Sequence, residues 1–333
     1  GKDLTYFEVT TACAFLYFSR VQVNVAVVEV GLGGRLDATN VLLPEVTAIT
    51  PVGLDHMPKL GHTLEAIARE KAGMIKPGIP LVVSRQEPEA LRVIEETARF
   101  QRAPLHLVGQ EVRVCDPHLS QEGTEVSLQT ATRTYRGLRL PLLGRHQVDN
   151  AAMAVRMGEL FAERTLHRSI PEETVRAGIA QARWPGRCQR LEAEGRTWLL
   201  DGAQSADSAR ALRETVETIF PGRRVWLILG VSLEKDISGM AEAWKGWAHR
   251  LITTQADVPR AEPAQKLAHR FEASTIFPPR VTSTVSEALR TAREETDRRD
   301  LVVVSGSLFV VAEALRAFSD ASPERGMHPP LPR

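Results

Sequence analysis

Short β-branched runs alternate with helical patterns along nearly the whole chain. In the second half, "RTWLLDGA" (196–203), "RVWLILGV" (224–231) and "HRLITT" (249–254) each precede a segment with helical spacing. "DLVVVSGSLFVVAEALRAF" (300–318) closes the series with one more strand and helix. Strand–helix units repeated in this way favour a parallel sheet with helices on both faces. The sequence therefore predicts an α/β fold whose second half is a doubly wound sheet.

The first half shows the same alternation, with one exception. Strands are predicted at 23–30, 46–50 and 79–84 and helices at 64–76, 88–100 and 146–161. The run "VNVAVVEV" (23–30) is uninterrupted, which is typical of a strand buried on both faces. Between 107 and 140, polar and apolar residues alternate around Gly-containing turns, which predicts antiparallel hairpins.

A linker is indicated by "ARWPGRC" (182–188), because proline and glycine interrupt the pattern there. We therefore predict a central domain over residues 1–183 and a C-terminal domain over 184–320. The segment 321–333 carries four prolines, which predicts a disordered tail.

Composition excludes several classes of protein. The net charge of +1 gives no broad attraction to nucleic acid or to anionic membranes, so we expect neither as a partner. No apolar run reaches membrane-spanning length. Three distant cysteines, Cys13, Cys115 and Cys188, are expected to be buried thiols of a reduced, cytoplasmic protein. The chain opens without Met inside a helical pattern, which suggests a missing front part.

The stretch "VVEVGLGGRLDATN" (27–40) contains three glycines but fits no phosphate-binding motif. A dinucleotide fingerprint starting at Gly31 would need Gly or Ala at position 36, which is Leu36. A P-loop would need G-K-[ST], but Arg35 follows Gly34. Glu29, at the end of the predicted strand, therefore needs another explanation.

Two side chains at successive strand ends suggest a metal site. Glu29 is the penultimate residue of the predicted strand 23–30, and His56 lies a few residues past the end of the strand 46–50. Completed by phosphate oxygens and water, this pair suits Mg²⁺. Two alternatives stay open: Glu29 pairs with Arg35, and His56 is a solvated loop residue. Lys71 by its pattern alone is a surface lysine on a helix.

Two strand ends in the second half also carry polar groups. Asp201 and Gly202 end one predicted strand, and Ser305, Gly306 and Ser307 lie between the last strand and helix. Free N–H groups at such an edge favour an anionic ligand. Ser307 fits equally well as a simple helix N-cap.

Taken together, these motifs resemble a known family. "LTYFEVTTACAFLYF", "EVGLGGRLDATN", "EKAGMIKPG", "GRHQVDNAAMAV", "WPGR", "LLDGA", "LGVSLEKD" and "VVSGSLFVVAE" occur in the order seen in folylpolyglutamate synthases and bifunctional dihydrofolate synthases of the Mur ligase superfamily. The resemblance extends to about residue 318. It implies a truncated Mur-ligase-type central ATPase domain and a C-terminal Rossmann-like domain that binds the amino acid. It also implies an ATP- and Mg²⁺-dependent ligase that activates dihydropteroate or a reduced folate as an acyl phosphate and joins it to L-glutamate.

The same resemblance implies roles for individual residues. His56 and Lys71 match catalytic positions, and Lys71 matches a lysine that becomes carbamylated. The magnesium ligands of the family match Glu29 and His56, and its pterin contacts match Thr5, Phe7, Asp37 and Ala38. Its nucleotide contacts match Asn150, Arg187 and Asp201, and a glutamate contact matches Ser307. By this interpretation the glycine-rich loop turns the backbone tightly after Glu29, so that Asp37 faces the pterin.

Two departures from the family pattern are visible. The family carries a P-loop about a hundred residues before "LTYFE", whereas Gly1-Lys2 is followed here by Asp3 and no G-K-[ST] occurs. Gln204 stands where the family usually has a histidine. We therefore expect a monomeric fragment of a folate–glutamate ligase that is inactive alone. The alternatives are a peptidoglycan-type Mur ligase, which "LTYFE" and "LDATN" disfavour, and a non-catalytic product that binds folate.

Overall fold

The computed structural model describes residues 4–233 and 235–320, and the chain divides into two compact units. The first unit comprises the chain up to Cys115 together with 127–136 and 149–175. The second comprises 116–126, 137–148 and the chain from Arg176 onward. The domain limits at residues 183 and 184 stay a prediction, and the tail 321–333 lies outside the described residues.

The first unit contains a parallel three-stranded sheet of order β1-β2-β3. Thr47 pairs with Leu81, and Leu81 pairs in turn with Leu105. Ile49, Ile67, Leu81 and Ile94 are buried in one core between this sheet and two helices. Elements of this part are α1 (Tyr6–Val21), β1 (Thr47–Ile49), α2 (Met57–Leu60), α3 (Leu64–Ala72), β2 (Leu81–Val83), α4 (Pro88–Phe100) and β3 (Leu105–Leu107).

The predicted strand at 23–30 is wrong. These residues form no strand, and Val27 is 93% exposed. A strand exists only where a neighbour takes its backbone hydrogen bonds. Among the described residues β1, β2 and β3 pair with one another, and none pairs with 23–30.

A second three-stranded sheet has the order β4-β5-β6 and lies in the region where hairpins are predicted. The helix that follows carries a buried ion pair between Arg156 and Glu159 at 2.9 Å. Thr130 and Tyr135 each donate a hydroxyl to Glu159, at 2.7 and 2.9 Å. Elements of this part are β4 (Arg113–Ser120), β5 (Gly123–Gln129), β6 (Thr134–Leu140), α5 (Arg145–Thr165) and α6 (Glu172–Ala180).

The second unit contains a six-stranded sheet of order β11-β10-β9-β12-β8-β7, which is parallel except for the β7–β8 pair. Apolar side chains of α7, α8 and α9 form one core with this sheet, and those of α10 and α11 form another. Helices on both faces confirm the predicted doubly wound sheet. Elements are β7 (Gln189–Ala193), β8 (Arg196–Leu200), α7 (Ala206–Ile219), β9 (Val225–Leu229), α8 (Ile237–Ala243), β10 (Arg250–Thr253), α9 (Ala264–Phe271), β11 (Arg280–Val281), α10 (Val285–Glu295), β12 (Leu301–Ser305) and α11 (Leu308–Asp320).

Two further features bear on the expectations from composition. Among the described helices none combines the length and apolar character needed to cross a membrane. The three cysteines are free thiols, but only Cys188 is buried, since Cys115 is half-buried and Cys13 is exposed. The expectation of three buried thiols is therefore wrong.

Candidate active site

The glycine-rich loop is held together by the carboxylate of Asp37. Its Oδ2 accepts the backbone N–H groups of Gly31 (3.1 Å) and Leu32 (2.9 Å). Its Oδ1 accepts the N–H (2.9 Å) and the hydroxyl (2.6 Å) of Thr39, so that Asp37 caps the 3-10 turn Ala38–Val41. Partial burial raises the pKa of Asp37, but the bonds from Thr39, Leu32 and Gly31 outweigh it and hold the pKa below its usual value. The carboxylate is thus ionised and engaged in the loop itself.

The loop lies directly on the end of helix α3. A Cβ added at Gly34 would come within 2.8 Å of the Lys71 carbonyl oxygen, so only glycine permits this approach. The backbone N–H of Arg35 donates to the Glu70 carbonyl at 2.8 Å. Asn40 donates its side-chain amide to the carbonyls of Arg35 (3.0 Å) and Gly73 (3.2 Å). These contacts fix the loop beside Lys71.

The structure answers the open question about Glu29. Arg35 forms its ion pair with Glu70 at 2.9 Å, not with Glu29. Glu29 is exposed, and within residues 4–233 and 235–320 its carboxylate has no hydrogen bond or ion pair. Because it lies in water, it carries no burial cost. The assignment of Glu29 as a magnesium ligand stays a prediction.

His56 occupies an unusual backbone conformation. It precedes helix α2 with a φ of 54°, in the left-handed region that costs a non-glycine residue roughly 1 kcal/mol or more. Its backbone N–H donates to Asp55 Oδ1 at 2.8 Å, and its Nε2 lies 3.7 Å from Asp55 Oδ2. Six other non-glycine residues in the described part of the chain share this left-handed conformation, so it does not single out His56, and the roles expected for His56 stay predictions.

Lys71 lies near the end of α3 and is half-buried, so it is less exposed than the simple surface lysine that its pattern alone indicates. Burial lowers the pKa of its ammonium group, while the Asp55 carboxylate raises it less. Asp55 thus interacts with both Lys71 and His56. The sequence analysis did not single out Asp55, although its position directly before His56 in "GLDH" was the available signal.

A magnesium ion takes about six oxygen ligands. No group of three His, Cys, Asp or Glu side chains suited to a metal occurs in the part of the chain that the structure describes. Glu29 and His56 would supply at most one carboxylate and one imidazole, so the expected Mg²⁺ would need nucleotide phosphates and water as its other ligands.

Of the residues expected near the pterin, Asp37 and Ala38 belong to the glycine-rich loop and Phe7 lies against it. Thr5 caps helix α1 through its hydroxyl, which accepts the Glu8 N–H at 3.2 Å. The Phe7 ring lies against Gly31, where an added Cβ would come within 2.5 Å of its Cζ. Ala38, directly after Asp37, is half-buried. The structure thus brings Phe7, Gly31 and Asp37 to one place.

In the second unit, Asp201 ties the linker segment to the end of strand β8. Its Oδ2 accepts the backbone N–H (2.8 Å) and the thiol (3.4 Å) of Cys188, and its Oδ1 accepts the Ala203 N–H at 2.9 Å. Arg187 reaches the same place, since a Cβ added at Gly202 would lie 3.1 Å from its Nη1. Burial and the Asp201 charge raise the pKa of the Cys188 thiol well above its usual value, so it stays protonated.

An open cavity of about 510 Å³ adjoins this linker and is lined by Trp184, Arg187, Cys188 and Arg190 among others. That volume is in the range of small-molecule sites. Two of the expected nucleotide contacts, Arg187 and Asp201, are neighbours within the second unit, since both lie beside Gly202 and Cys188. The third, Asn150, is exposed on helix α5 in the first unit.

Ser307 directly precedes helix α11 and caps its N-terminus. It is 3% exposed, and its Oγ accepts the Phe309 N–H at 3.2 Å. Gly306 before it has a φ of 101°, and an added Cβ would lie 2.6 Å from the Gly230 carbonyl oxygen. The N-cap alternative for Ser307 is confirmed, while its contact with glutamate stays a prediction.

Comparison with known families defines the class of protein. The Mur ligase middle domain matches residues 2–158, and the Mur ligase glutamate ligase domain matches residues 186–308. These matches place the chain in the Mur ligase superfamily.

Individual relatives narrow this class. The chain is 34% identical to the dihydrofolate synthase/folylpolyglutamate synthase of Bacillus subtilis, over 93% of this chain and 71% of that protein. A Mycobacterium tuberculosis folylpolyglutamate synthase complexed with ADP superposes with a TM-score of 0.86 at 31% identity, over 95% of this chain and 72% of that one. The chain belongs to the dihydrofolate synthase/folylpolyglutamate synthase family. It spans 37% of a Halobacterium salinarum relative that is 36% identical to it.

Proposed function

We propose that this chain supplies most of an ATP-dependent ligase that joins L-glutamate to dihydropteroate or to the glutamyl tail of a reduced folate. The observation that carries the proposal is the match to the Bacillus subtilis relative along 93% of the chain. A second support is that Lys71, Asp55 and His56 interact beside the glycine-rich loop.

The proposed reaction proceeds in two steps. A carboxylate oxygen of the folate substrate attacks the γ-phosphorus of ATP, the bond to ADP breaks, and an acyl phosphate forms. The amine of glutamate then attacks the acyl carbon, loses a proton and expels phosphate, which leaves an amide. Glu29 and His56 would hold Mg²⁺, which when bound neutralises charge on the transferring phosphoryl group.

We propose that Lys71 acts as a carbamate. Its burial increases the fraction of neutral amine, the form that attacks CO₂ and releases a proton. The modification changes the charge from plus one to minus one, which turns repulsion of a nearby cation into attraction. A carbamate at this position would orient the metal's water ligands.

The other residues take binding roles in this proposal. Thr5, Phe7 and Ala38 contact the pterin, and Asp37 shapes that site by fixing the loop. Asn150, Arg187 and Asp201 bind the nucleotide, and Ser307 presents the N-terminus of α11 to the carboxylate of glutamate. Gln204 is half-buried and cannot become cationic, so it contributes no charge there.

The 333 residues contain no G-K-[ST] motif, so nothing in them provides a P-loop's N–H groups and lysine for the β- and γ-phosphates. We therefore propose that this chain alone does not catalyse ligation. The test measures ADP release with each substrate omitted in turn. The chain alone is compared with a chimera in which the residues that precede the match in the Bacillus subtilis relative are joined to Leu4.

The chimera should release ADP only when both glutamate and dihydropteroate or a reduced folate are present. Release of ADP by the 333 residues alone, dependent on both substrates, would refute the proposed inactivity. Pterin binding without turnover by the chimera would instead favour the non-catalytic alternative.

A further inference from the structure

Arg260 is an exposed cation that the second unit holds at the start of helix α11. The chain around it runs antiparallel to the segment after β9. The Leu233 N–H donates to the Arg260 carbonyl at 2.8 Å, and the Glu262 N–H donates to the Val231 carbonyl at 2.9 Å. The guanidinium carbon of Arg260 lies 5.3 Å from the centre of the Phe309 ring. Because an aromatic face attracts a cation at this distance, the ring keeps the guanidinium beside the first turn of α11.

The charge of Arg260 is not neutralised by any acidic side chain of the described residues. Within 4–233 and 235–320 its guanidinium takes part in no hydrogen bond or ion pair, and its only ring contact is with Phe309. Glu313, one turn further along α11, accepts the backbone N–H of Asp257 at 2.8 Å. The guanidinium is therefore available to an anionic ligand.

The first turn of α11 offers more donors at the same place. The Phe309 N–H is capped by Ser307, but the N–H groups of Leu308 and Val310 donate no hydrogen bond within the part of the chain that the structure describes. The N-terminus of a helix carries partial positive charge, which favours an anion. A carboxylate has two oxygens and can accept from a guanidinium and from backbone N–H groups together.

A buried hydroxyl on the same face of the sheet also lacks a partner. Thr254 is fully buried, and its Oγ1 has no hydrogen bond among the described residues. Because side chains alternate along a strand, Thr254 shares its face with Ile252, which belongs to the core that contains Val310 of α11. Gly230 lies between them, since an added Cβ would come within 2.7 Å of Val310 Cγ2 and 2.9 Å of the Thr254 carbonyl oxygen. A buried hydroxyl without a partner costs roughly 1–3 kcal/mol, so it points to a polar group beyond those of the chain.

Exposed apolar side chains border this place. Leu233, Leu308 and Phe309 are 44%, 45% and 39% exposed. One cation beside apolar side chains fits a ligand with a charged end and a short hydrocarbon stem better than it fits a phosphate group, which is charged on all sides. Glutamate, a substrate of the proposed reaction, has both a carboxylate end and such a stem.

We propose that Arg260 binds one carboxylate of the incoming L-glutamate at the N-terminus of α11 and thereby selects an amino acid with two carboxylates. The inference rests on the proposed function, and it adds a fully charged side chain to the contact already expected of Ser307. Arg260 is a specificity-determining residue in this account, because it binds a part of the amino acid remote from the reacting amine.

The first test measures binding of L-glutamate to the ¹⁵N-labelled chain of 333 residues by NMR titration. The amide signals of Leu308 and Val310 should shift with added glutamate. Arg260→Gln should weaken binding at least tenfold, and Arg260→Lys should weaken it less, because an ammonium keeps the charge but lacks the planar fork. The control Arg270→Gln removes another exposed arginine without a partner among the described residues, at the end of α9, and should change binding less than twofold.

Two amides of glutamate sharpen this test. Glutamine lacks the side-chain carboxylate, and isoglutamine lacks the α-carboxylate. The amide that lacks the carboxylate bound by Arg260 should bind weakly and be insensitive to Arg260→Gln, whereas the other amide should lose affinity with this substitution. Equal sensitivity of both amides to Arg260→Gln would overturn the inference.

Steady-state kinetics of the chimera separate this inference from the proposed function. Arg260→Gln should raise the KM for glutamate at least tenfold while kcat and the KM values for ATP and dihydropteroate change less than twofold. A KM for glutamate that Arg260→Gln changes no more than Arg270→Gln does would overturn the inference and leave the ligase function standing. A rise in the KM for ATP alone would also overturn it, in favour of a phosphate contact. Absence of amide formation by the unmodified chimera would instead refute the proposed function.

Discussion

The Asp37 carboxylate should be the main local stabiliser of the glycine-rich loop. Asp37→Ala removes four hydrogen bonds at once. Loss of the cap on Thr39 costs about 1 kcal/mol, and loss of the two bonds to Gly31 and Leu32 about 1.5 kcal/mol each before allowance for exposure. Because Asp37 is only half-buried, we expect a net loss of roughly 2 kcal/mol in the stability of the first unit.

Two optical probes separate this effect from global destabilisation. All five tryptophans belong to the second unit, so their fluorescence reports on that unit alone, whereas far-ultraviolet circular dichroism reports on both. With a urea m-value of about 2 kcal/mol/M, Asp37→Ala should lower the first-unit midpoint by about 1 M. The fluorescence midpoint should stay in place.

Glu29→Gln provides the matched control. This substitution neutralises a carboxylate near the same loop, and that carboxylate has no partner among the described residues. The free energy of unfolding of the first unit should therefore change by less than about 0.5 kcal/mol. Equal midpoints for Asp37→Ala and the unmodified chain would refute the role of Asp37. So would a fluorescence transition that shifts as far as the dichroism transition.

Four further predictions concern the pH dependence of the Asp37 contribution, substitutions of Gly34 and Gly178, and the role of Lys71. Because the pKa of Asp37 is lowered in the folded state, its carboxylate stabilises the fold fully above the usual aspartate pKa of 3.8. This stabilisation is lost as the pH falls through the folded-state pKa. The difference in unfolding free energy between the unmodified chain and Asp37→Asn should therefore be full at neutral pH and shrink in acid titrations. Gly34→Ala should destabilise the first unit by roughly 1–3 kcal/mol in urea unfolding, since the Lys71 carbonyl cannot easily move away. Gly178→Ala, in helix α6 with nothing within 4 Å, should stabilise the second unit by roughly 0.5 kcal/mol in the fluorescence transition. In the chimera, Lys71→Ala should abolish most turnover while pterin affinity stays nearly unchanged. Lys71→Arg should not restore turnover, because guanidinium forms no carbamate. Wild-type turnover of Lys71→Arg would exclude a carbamate at Lys71.

The second unit was predictable from sequence because its signals are local. Runs such as 224–231 and 300–305 are apolar, short and followed by helical spacing, and they pair with one another within the same unit. The run 23–30 has the same composition but forms no strand, because pairing depends on a neighbour that composition cannot reveal. Helix α5 was predicted with an apolar face, yet it buries the Arg156–Glu159 pair, whose hydroxyl partners lie more than twenty residues away.

The candidate site likewise combines features that local sequence predicts with contacts that depend on residues distant in the chain. The special character of the loop 31–40 was predictable from its glycines, and the interest of His56 from its position after a predicted strand. Lys71 attracted attention only through the family resemblance, because its pattern alone indicates a surface lysine. The ionic partner of Arg35 was not predictable, because Glu70 lies 35 residues further along the chain. The charge interaction between Asp55 and Lys71 likewise depends on how the loop before α2 meets α3.

Transfer of an oxygen isotope gives the most direct test of the proposed chemistry. Dihydropteroate carrying ¹⁸O in its carboxylate is incubated with the chimera, ATP and glutamate, and the inorganic phosphate released is analysed by mass spectrometry. An acyl phosphate intermediate transfers one carboxylate oxygen to phosphorus, so one ¹⁸O should appear in phosphate for each amide formed. Amide formation with unlabelled phosphate would contradict the acyl phosphate, and absence of any amide, under conditions where the Bacillus subtilis relative forms it, would contradict the ligase function itself.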